Sequence, residues 1–279
     1  MSRRPSIPFQ PRTLHVIGDT HFGGFAAGRQ AIVKNDLARS TVPQSVYRIQ
    51  VGDFISTGVD SLFDTARAWM DSLGGDWWAA VGNHDLDSPA GDRTPDEAAA
   101  LMGMPAADYT VDLGFCVLVV MFIRAPGSAG PTPDYTWLTD TLDGLTDRVV
   151  FLVGHPPLVD INPNGNVGLG GDTSTFFSAE IMAIIDPRTC VKAYLCGHTH
   201  PGLNEIGTVM SIDTGTREIA QLTNPCAYYT TPDVNWTDGL WSMWVTVYPD
   251  RFEVRARDHG AHQWVGSSLE NIPVWVFPL

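Results

Sequence analysis

The chain has 279 residues and a formal net charge of −14, with 44% hydrophobic and 17% charged residues. This composition is ordinary for a folded, loop-rich α/β protein, and the length permits one large domain or two small ones. The acidic balance argues against a broad nucleic-acid-binding surface, because such surfaces need clustered Lys and Arg.

The sequence shows no pattern of membrane insertion or export. No apolar run reaches the ~18 residues that a membrane span needs, and the basic stretch from Met1 to Arg12 lacks the apolar centre of a signal peptide. The four cysteines form no CxxC pair, and three of them lie in or beside apolar runs and are best interpreted as buried thiols. We therefore expect a cytoplasmic protein.

The first part of the chain alternates predicted strands and helices. Strands are predicted at Leu14–Ile17, Val46–Val51 and Trp77–Val81, with helices at Gln30–Arg39 and Asp60–Ser72 between them. Each strand ends in a polar tip, at Asp19, Asp53 and Asn83. The tips recur about every 30 residues, the length of one βαβ unit. Ligands of open α/β sheets bind at this carboxyl end of the strands.

The middle of the chain adds a predicted hairpin at 109–123, helices at 134–142 and 175–185, and two more strands. Val149–Val153 ends at Gly154-His155, and Val191–Cys196 ends at Gly197-His198-Thr199-His200. After residue 202 the sequence becomes β-rich, at Val209–Thr214, Leu240–Tyr248 and Arg251–Ala256. We expect these strands to form a second sheet packed on the first, within one domain spanning residues 1–279.

The five tips carry seven side chains suited to metal binding. They are Asp19, His21, Asp53, Asn83, His155, His198 and His200. In an extended segment residues i and i+2 point to the same side, so each Asp-x-His or His-x-His pair is expected to face one place. Carboxylates, imidazoles and one amide suit Mn, Fe, Zn or a similar cation. Seven ligands are too many for one ion and fit two divalent ions that share a carboxylate.

The order of these motifs resembles that of the calcineurin-like metallophosphoesterase superfamily. The blocks Asp-x-His, Gly-Asp, Gly-Asn-His-Asp, Gly-His and Gly-His-x-His occur in that order between Ile17 and Pro201. The resemblance implies an α/β fold in which two mixed β-sheets pack face to face and are flanked by helices, an αββα sandwich. The motif core covers about 13–201, and 202–279 is the β-rich remainder.

The resemblance also implies a role for each tip residue. Asp19, His21 and His200 would hold the first metal ion. Asn83, His155 and His198 would hold the second, and Asp53 would bridge the two. His84 would lie outside the metal ligands, close to the substrate phosphate, with Asp85 orienting its imidazole.

Two such ions ~3.5–4 Å apart lower the pKa of a bridging water, and the resulting hydroxide attacks phosphorus in line. We expect Mn²⁺ to be the most active ion in vitro. The segment Gly52 to Gly58 lacks the Asp-Arg-Gly of protein Ser/Thr phosphatases, and the third block ends in Asp85 rather than Glu. Both features favour the bacterial-type phosphodiesterase branch and a small phosphodiester substrate, with a cyclic nucleotide as one candidate.

Three alternatives stay open at this point. A phosphomonoesterase, acting on nucleotides or other small phosphates, would use the same site. A nuclease is disfavoured by the acidic charge, and a non-catalytic adaptor is disfavoured because every block is intact.

Several other residues invite an interpretation. His15, His259 and His262 match no block and are predicted to be structural. Arg29 and Arg93 are weaker candidates for contacting a substrate phosphate. Five tryptophans are more simply explained by packing than by base stacking: Trp236, Trp241, Trp244, Trp264 and Trp275. The apolar tail from Pro273 to Leu279 suggests docking onto the body or a partner, which leaves a homodimer open.

Overall fold

The computed structural model describes nine stretches of the chain. They are residues 12–24, 28–39, 47–89, 91–124, 131–159, 178–200, 209–224, 240–265 and 274–279. Trp236, which the sequence analysis discussed, lies outside these residues, as does Cys226, one of the four cysteines.

Thirteen strands and six helices follow one another within these stretches. The strands are β1 (Arg12–Ile17), β2 (Tyr47–Gln50), β3 (Asp76–Ala79), β4 (Tyr109–Asp112), β5 (Val117–Val120), β6 (Val150–Val153), β7 (Val191–Cys196), β8 (Val209–Asp213), β9 (Glu218–Thr223), β10 (Trp241–Val247), β11 (Arg251–Asp258), β12 (Gln263–Trp264) and β13 (Trp275–Pro278). The helices are α1 (Arg29–Leu37), α2 (Asp60–Ser72), α3 (Asn83–Leu86), α4 (Pro95–Met102), α5 (Tyr135–Asp143) and α6 (Ser178–Ile185). None of the described helices is long and apolar enough to cross a membrane.

The strands form two mixed sheets. The first has the order β12-β11-β10-β1-β2-β3, with β13 also pairing with β11. In it β1, β2 and β3 are parallel, and β10 is antiparallel to β1. The second has the order β4-β5-β6-β7-β9-β8, with four parallel strands in its centre and an antiparallel strand at each edge.

The two sheets pack face to face because alternate side chains of each point into a shared apolar layer. From the first sheet this layer takes Leu14 and Val16 of β1, and from the second it takes residues such as Phe151 and Leu195. Helices α1, α2 and α4 cover the outer face of the first sheet, and α5 and α6 cover that of the second. The predicted sandwich flanked by helices is confirmed.

Local sequence explains where the covering helices lie. Helix α2 turns Phe63, Ala66 and Met70, spaced three and four residues apart, toward the sheet. Helix α4 begins at a capping box, in which the Thr94 side chain accepts from the Glu97 N–H and the Glu97 carboxylate accepts from the Thr94 N–H.

The expected assignment of the C-terminal strands to the second sheet is wrong for two of the three. Of these three, only β8 joins the second sheet, where it pairs with β9 at the edge. Strands β10 and β11 extend the first sheet instead, because β10 pairs along the free edge of β1 and turns Met243 and Val245 into the layer between the sheets. Pro249 and Asp250 form the turn that joins β10 to its antiparallel neighbour β11.

Candidate metal centre

The predicted tips follow strands of both sheets and converge at one end of the sandwich. Asp19, Asp53 and Asn83 follow β1, β2 and β3 of the first sheet, whereas His155, His198 and His200 follow β6 and β7 of the second. Hydrogen bonds to backbone groups join the sheets here. The Nδ1–H of His155 donates to the Val51 carbonyl at 2.9 Å, and the N–H of His198 donates to Oδ1 of Asp19 at 3.0 Å.

The tip backbone is left-handed rather than extended. Positive φ angles occur at Asp19 (51°), His21 (43°), Asp53 (53°), His198 (71°) and His200 (46°). Such angles are uncommon for residues other than glycine, and they cluster at functional sites. The extended geometry assumed from the sequence is therefore wrong. His198 and His200 fall into different ligand groups, whereas Asp19 and His21 fall into one group, as expected.

Glycines next to the tips let the ligands approach the backbone. A Cβ on Gly52 would lie 2.3 Å from Nδ1 of His155, and a Cβ on Gly82 would lie 2.3 Å from Oδ1 of Asp53. Gly52 also has a φ of 99°. Both glycines are therefore required for the close packing of the tips.

Six of the seven predicted ligands fall into two groups that share one carboxylate. One group is Asp19, His21, Asp53 and His200, and the other is Asp53, His155 and His198; in each, one ligand atom per residue lies within 4.8 Å of the others. Nε2 of His200 is 3.0 Å from Oδ1 of Asp19, and Nε2 of His155 is 3.1 Å from Oδ2 of Asp53. The shared residue is Asp53, which the resemblance assigned as the bridge.

Asn83 is the seventh predicted ligand and begins α3 beside Asp53. The N–H of the next residue, His84, donates to Oδ1 of Asp53 at 2.9 Å. The side-chain oxygen of Asn83 is buried and has no hydrogen-bond partner. Burying an amide oxygen without a donor is costly, and a cation would satisfy it. The donor set of carboxylates, imidazoles and an amide oxygen thus fits a pair of divalent transition-metal ions.

Charge and burial set the protonation of the imidazoles. Burial alone lowers the pKa of His155, but the charge and hydrogen bond of Asp53 outweigh it and raise that pKa to about 9. Burial lowers the pKa of His21 to about 4 and that of His198 to about 3. Two imidazoles are therefore held neutral, as ligands must be, and a bound cation would displace the proton that the charge of Asp53 favours on His155.

The prediction that Asp85 orients His84 is wrong. The buried Asp85 carboxylate accepts from the Gly82 N–H at 2.8 Å and from the Ile55 N–H at 3.1 Å, so it ties α3 to the segment after Asp53. Burial, reinforced by the charge of Asp53, raises the pKa of Asp85 to about 8. Consecutive residues of a helical turn point apart, which is why the two side chains do not meet.

His84 faces Asp87 instead. Nδ1 of His84 lies 3.4 Å from Oδ2 of Asp87, three residues further on, and the His84 side chain is 38% exposed. Its ring centroid is 5.0 Å from that of His21. His84 is thus the accessible imidazole beside the buried groups. Residues three apart lie on the same face of a helix. Asp87 could therefore have been predicted as the partner of His84 if Asn83–Leu86 had been recognised as helical.

The other candidates lie outside the two groups. Arg93 donates to the carbonyls of Asp87 and Gly58 and to Asp60, with only 9% of its side chain exposed, so it braces loops rather than facing a substrate. Arg29 begins α1. Trp241 and Trp244 are buried, and Trp244 stacks on His15, which agrees with packing rather than with a base-stacking platform.

Comparison with known proteins identifies the family. The family model described as calcineurin-like phosphoesterase matches residues 12–202, and the chain belongs to this superfamily. A search of curated proteins found no match.

Two solved structures share the fold at low sequence identity. A dimetal phosphatase from Danio rerio is 13% identical with a TM-score of 0.68, and the match covers 96% of this chain and 98% of that one. A purple acid phosphatase from yellow lupin (Lupinus luteus) seeds is 12% identical with a TM-score of 0.59, and the match covers 91% of this chain and 52% of that one. These likenesses support the sandwich fold.

Proposed function

We propose that this protein is a metal-dependent phosphoesterase that uses two divalent ions to hydrolyse a small phosphodiester. The observation that carries the proposal is that two groups of buried ligands share Asp53. Asp19, His21 and His200 would hold one ion, Asn83, His155 and His198 the other, and Asp53 both. The unsatisfied oxygen of Asn83 supports its place in the second group.

A bound pair of divalent ions supplies Lewis acidity and a water activated near neutral pH. The chain's own residues orient the ligands and supply a proton donor. The bond from His155 Nδ1 to the Val51 carbonyl leaves Nε2 as the nitrogen that faces the centre. His84, exposed at the rim beside His21, is placed to contact the phosphoryl group and to protonate the leaving oxygen.

The preference for diesters rests on the sequence. The segment Phe54-Ile55-Ser56 follows Asp53 in place of the Arg-Gly found in protein Ser/Thr phosphatases. The third block ends in Asp85 rather than Glu. Both favour the bacterial-type phosphodiesterase branch, with a cyclic nucleotide as one candidate substrate. A phosphomonoester is the second candidate, because both proteins of similar fold are named phosphatases.

We further propose that residues 1–279 form one domain, since β10 and β11 complete the sheet that β1 begins. A cytoplasmic location is supported by the free, buried thiols of Cys116, Cys190 and Cys196. A homodimer stays a prediction.

The test compares a chromogenic phosphodiester with its matching monoester, bis(p-nitrophenyl) phosphate and p-nitrophenyl phosphate. Metal-stripped protein and protein reconstituted with Mn²⁺ are assayed on both. We expect cleavage that depends on Mn²⁺ and favours the diester. Preference for the monoester would select the second candidate, and no turnover of either by protein carrying two Mn²⁺ would contradict catalysis.

A further inference from the structure

The loop that follows His155 is held by two buried polar side chains of the second sheet. Tyr194 of β7 and Gln221 of β9 are directly opposite in the parallel register, so they lie side by side on one face of the sheet. Both are completely buried. Apart from the buried Thr223, the side chains packed around them on this outer face are largely apolar, so two large polar side chains on it need an explanation.

Gln221 forms hydrogen bonds with the backbone of this loop, as a neighbouring strand would do. Its Oε1 accepts from the N–H of Leu158 at 3.0 Å and from the N–H of Val159 at 3.1 Å, and its Nε2 donates to the Val159 carbonyl at 3.0 Å. One side chain thereby satisfies three backbone groups that no strand reaches. These bonds fix the chain three and four residues beyond His155.

Tyr194 holds the same loop closer to the ligand. Its hydroxyl donates to the Pro156 carbonyl at 2.7 Å. It also packs on the residue before His155, since a Cβ on Gly154 would lie 2.5 Å from the hydroxyl oxygen. The tyrosine therefore contacts the backbone on both sides of His155.

The loop needs this support because its own sequence offers little. Pro156 and Pro157 have no N–H to donate, so the loop cannot continue a ladder beside β7. His155 itself is fixed through its Nδ1 bond to Val51, through the contact of its Nε2 with Asp53, and through its carbonyl, which accepts from the Gly197 N–H at 2.8 Å.

We propose that Gln221, assisted by Tyr194, is a positioning residue for the second metal ion, acting through the loop that carries His155. This inference rests on the proposed function, because it requires that His155 and His198 bind an ion with Asp53. Replacing a residue that orients a metal ligand commonly lowers the metal affinity by about 10–100-fold. The three residues that belong to the first group alone, Asp19, His21 and His200, lie on other tips, so their ion is predicted to be unaffected.

The test is a calorimetric titration of metal-stripped protein with Mn²⁺, comparing wild type with Gln221→Met, which keeps the length of the side chain and loses its hydrogen bonds. We expect wild type to bind two ions, and the variant to bind the second about 10–100-fold more weakly with the first unchanged. Electron paramagnetic resonance gives an independent readout, since a coupled Mn²⁺ pair changes to an isolated ion. Tyr194→Phe loses one hydrogen bond and is predicted to weaken binding of the second Mn²⁺ ion by a smaller factor.

Thr214→Val is the matched control. Its hydroxyl bonds Asp186 and the Arg217 carbonyl on the same sheet, away from the loop, so the variant is expected to lower the melting temperature and keep both ions. Wild-type affinity for both ions in Gln221→Met and Tyr194→Phe would overturn the inference while leaving the proposed function intact. Fewer than two ions bound by wild type would overturn the proposed function itself, and the inference with it.

Discussion

Two buried clusters of aspartate and histidine differ in what balances their negative charge. The first is the metal centre, where the two sheets meet, and the second lies between α1 and the first sheet. In the second of these clusters, Asp36 of α1 accepts from the Arg257 guanidinium at 2.6 and 2.7 Å, from His259 at 2.8 Å and from His262 at 3.0 Å. The chain thus supplies its own cation. At the metal centre, Asp53 faces His21 and His155, and no Lys or Arg of the described residues forms an ion pair with it.

Hydrogen bonds extend the second cluster further. His259 continues through Ser242 to His15 by hydrogen bonds of 2.7 and 2.9 Å. Each cluster still contains a buried atom that has no hydrogen-bond partner among the described residues, Nδ1 of His15 in one and the Asn83 oxygen in the other. Residue types and unsatisfied atoms alone therefore do not distinguish a metal site from a structural network. The balancing cation does, because Arg257 pairs with Asp36, whereas no Lys or Arg of the described residues pairs with Asp53.

The largest effect is expected from Asp53→Asn, which removes the charge shared by both ligand groups. We expect the variant to lose both ions and to hydrolyse the diester no faster than metal-stripped wild type. The loss should exceed the roughly 10²–10⁴-fold that a missing proton donor causes. Metal content and turnover measured together check this, and two tightly bound ions with wild-type turnover would refute the bridging role.

His84→Ala is expected to keep both ions and lose turnover by about 10²–10⁴-fold, because an accessible imidazole is removed without removing a ligand. His262→Ala is its matched control, since that side chain is 35% exposed, against 38% for His84, and belongs to the other cluster. Equal turnover in the two variants would remove His84 from the proposed chemistry.

Asp36→Ala is predicted to act on stability alone. It leaves the buried Arg257 guanidinium without its carboxylate, which typically costs about 3–5 kcal/mol. Metal content is expected to stay at two ions per chain. Urea unfolding at neutral pH measures the loss, and an unchanged free energy of unfolding would show that the ion pair contributes nothing.

This stability is also pH-dependent. Burial raises the pKa of Asp36, but the hydrogen bonds from Arg257 and His259 outweigh it and hold that pKa well below its usual value. A depressed carboxyl pKa stabilises the folded state above the unfolded value of about 3.9, and the stabilisation is lost as pH falls through the folded pKa. The difference between wild type and Asp36→Ala should therefore be constant from pH 7 to about 4 and shrink below it.

The smallest effect is expected from His262→Ala. Its one bond to Asp36 is partly exposed, and Arg257 and His259 remain, so a loss of about 1 kcal/mol or less is predicted. A loss as large as that of Asp36→Ala in the same urea titration would mean that the cluster depends on His262 rather than on the guanidinium.

The sequence was sufficient for the parts of the fold and site that depend on local order. Strands ending in polar tips predicted the parallel strands β1 to β3, β6 and β7, and the tip residues are the ones that converge. Motif resemblance also separated His200 from His198, which the assumption of extended backbone did not. Left-handed angles at residues other than glycine arise from tertiary packing, so no local pattern revealed them.

Long-range pairing was the part that sequence could not supply. Asp36 and Arg257 are 221 residues apart, and Gln221 meets the loop after His155 from 62 and 63 positions away. Nothing near these residues in the chain signals the partner. Strand β10 was likewise recognised as a strand but not as the neighbour of β1, because alternation reports one buried face and not the sheet to which it belongs.

The most direct test of the central claim is anomalous diffraction from crystals grown with Mn²⁺. The account predicts two anomalous peaks, one among Asp19, His21 and His200 and one among Asn83, His155 and His198, with Asp53 contacting both and no peak beside Asp36. A single peak at the centre, or none, would contradict the assignment of a dimetal site.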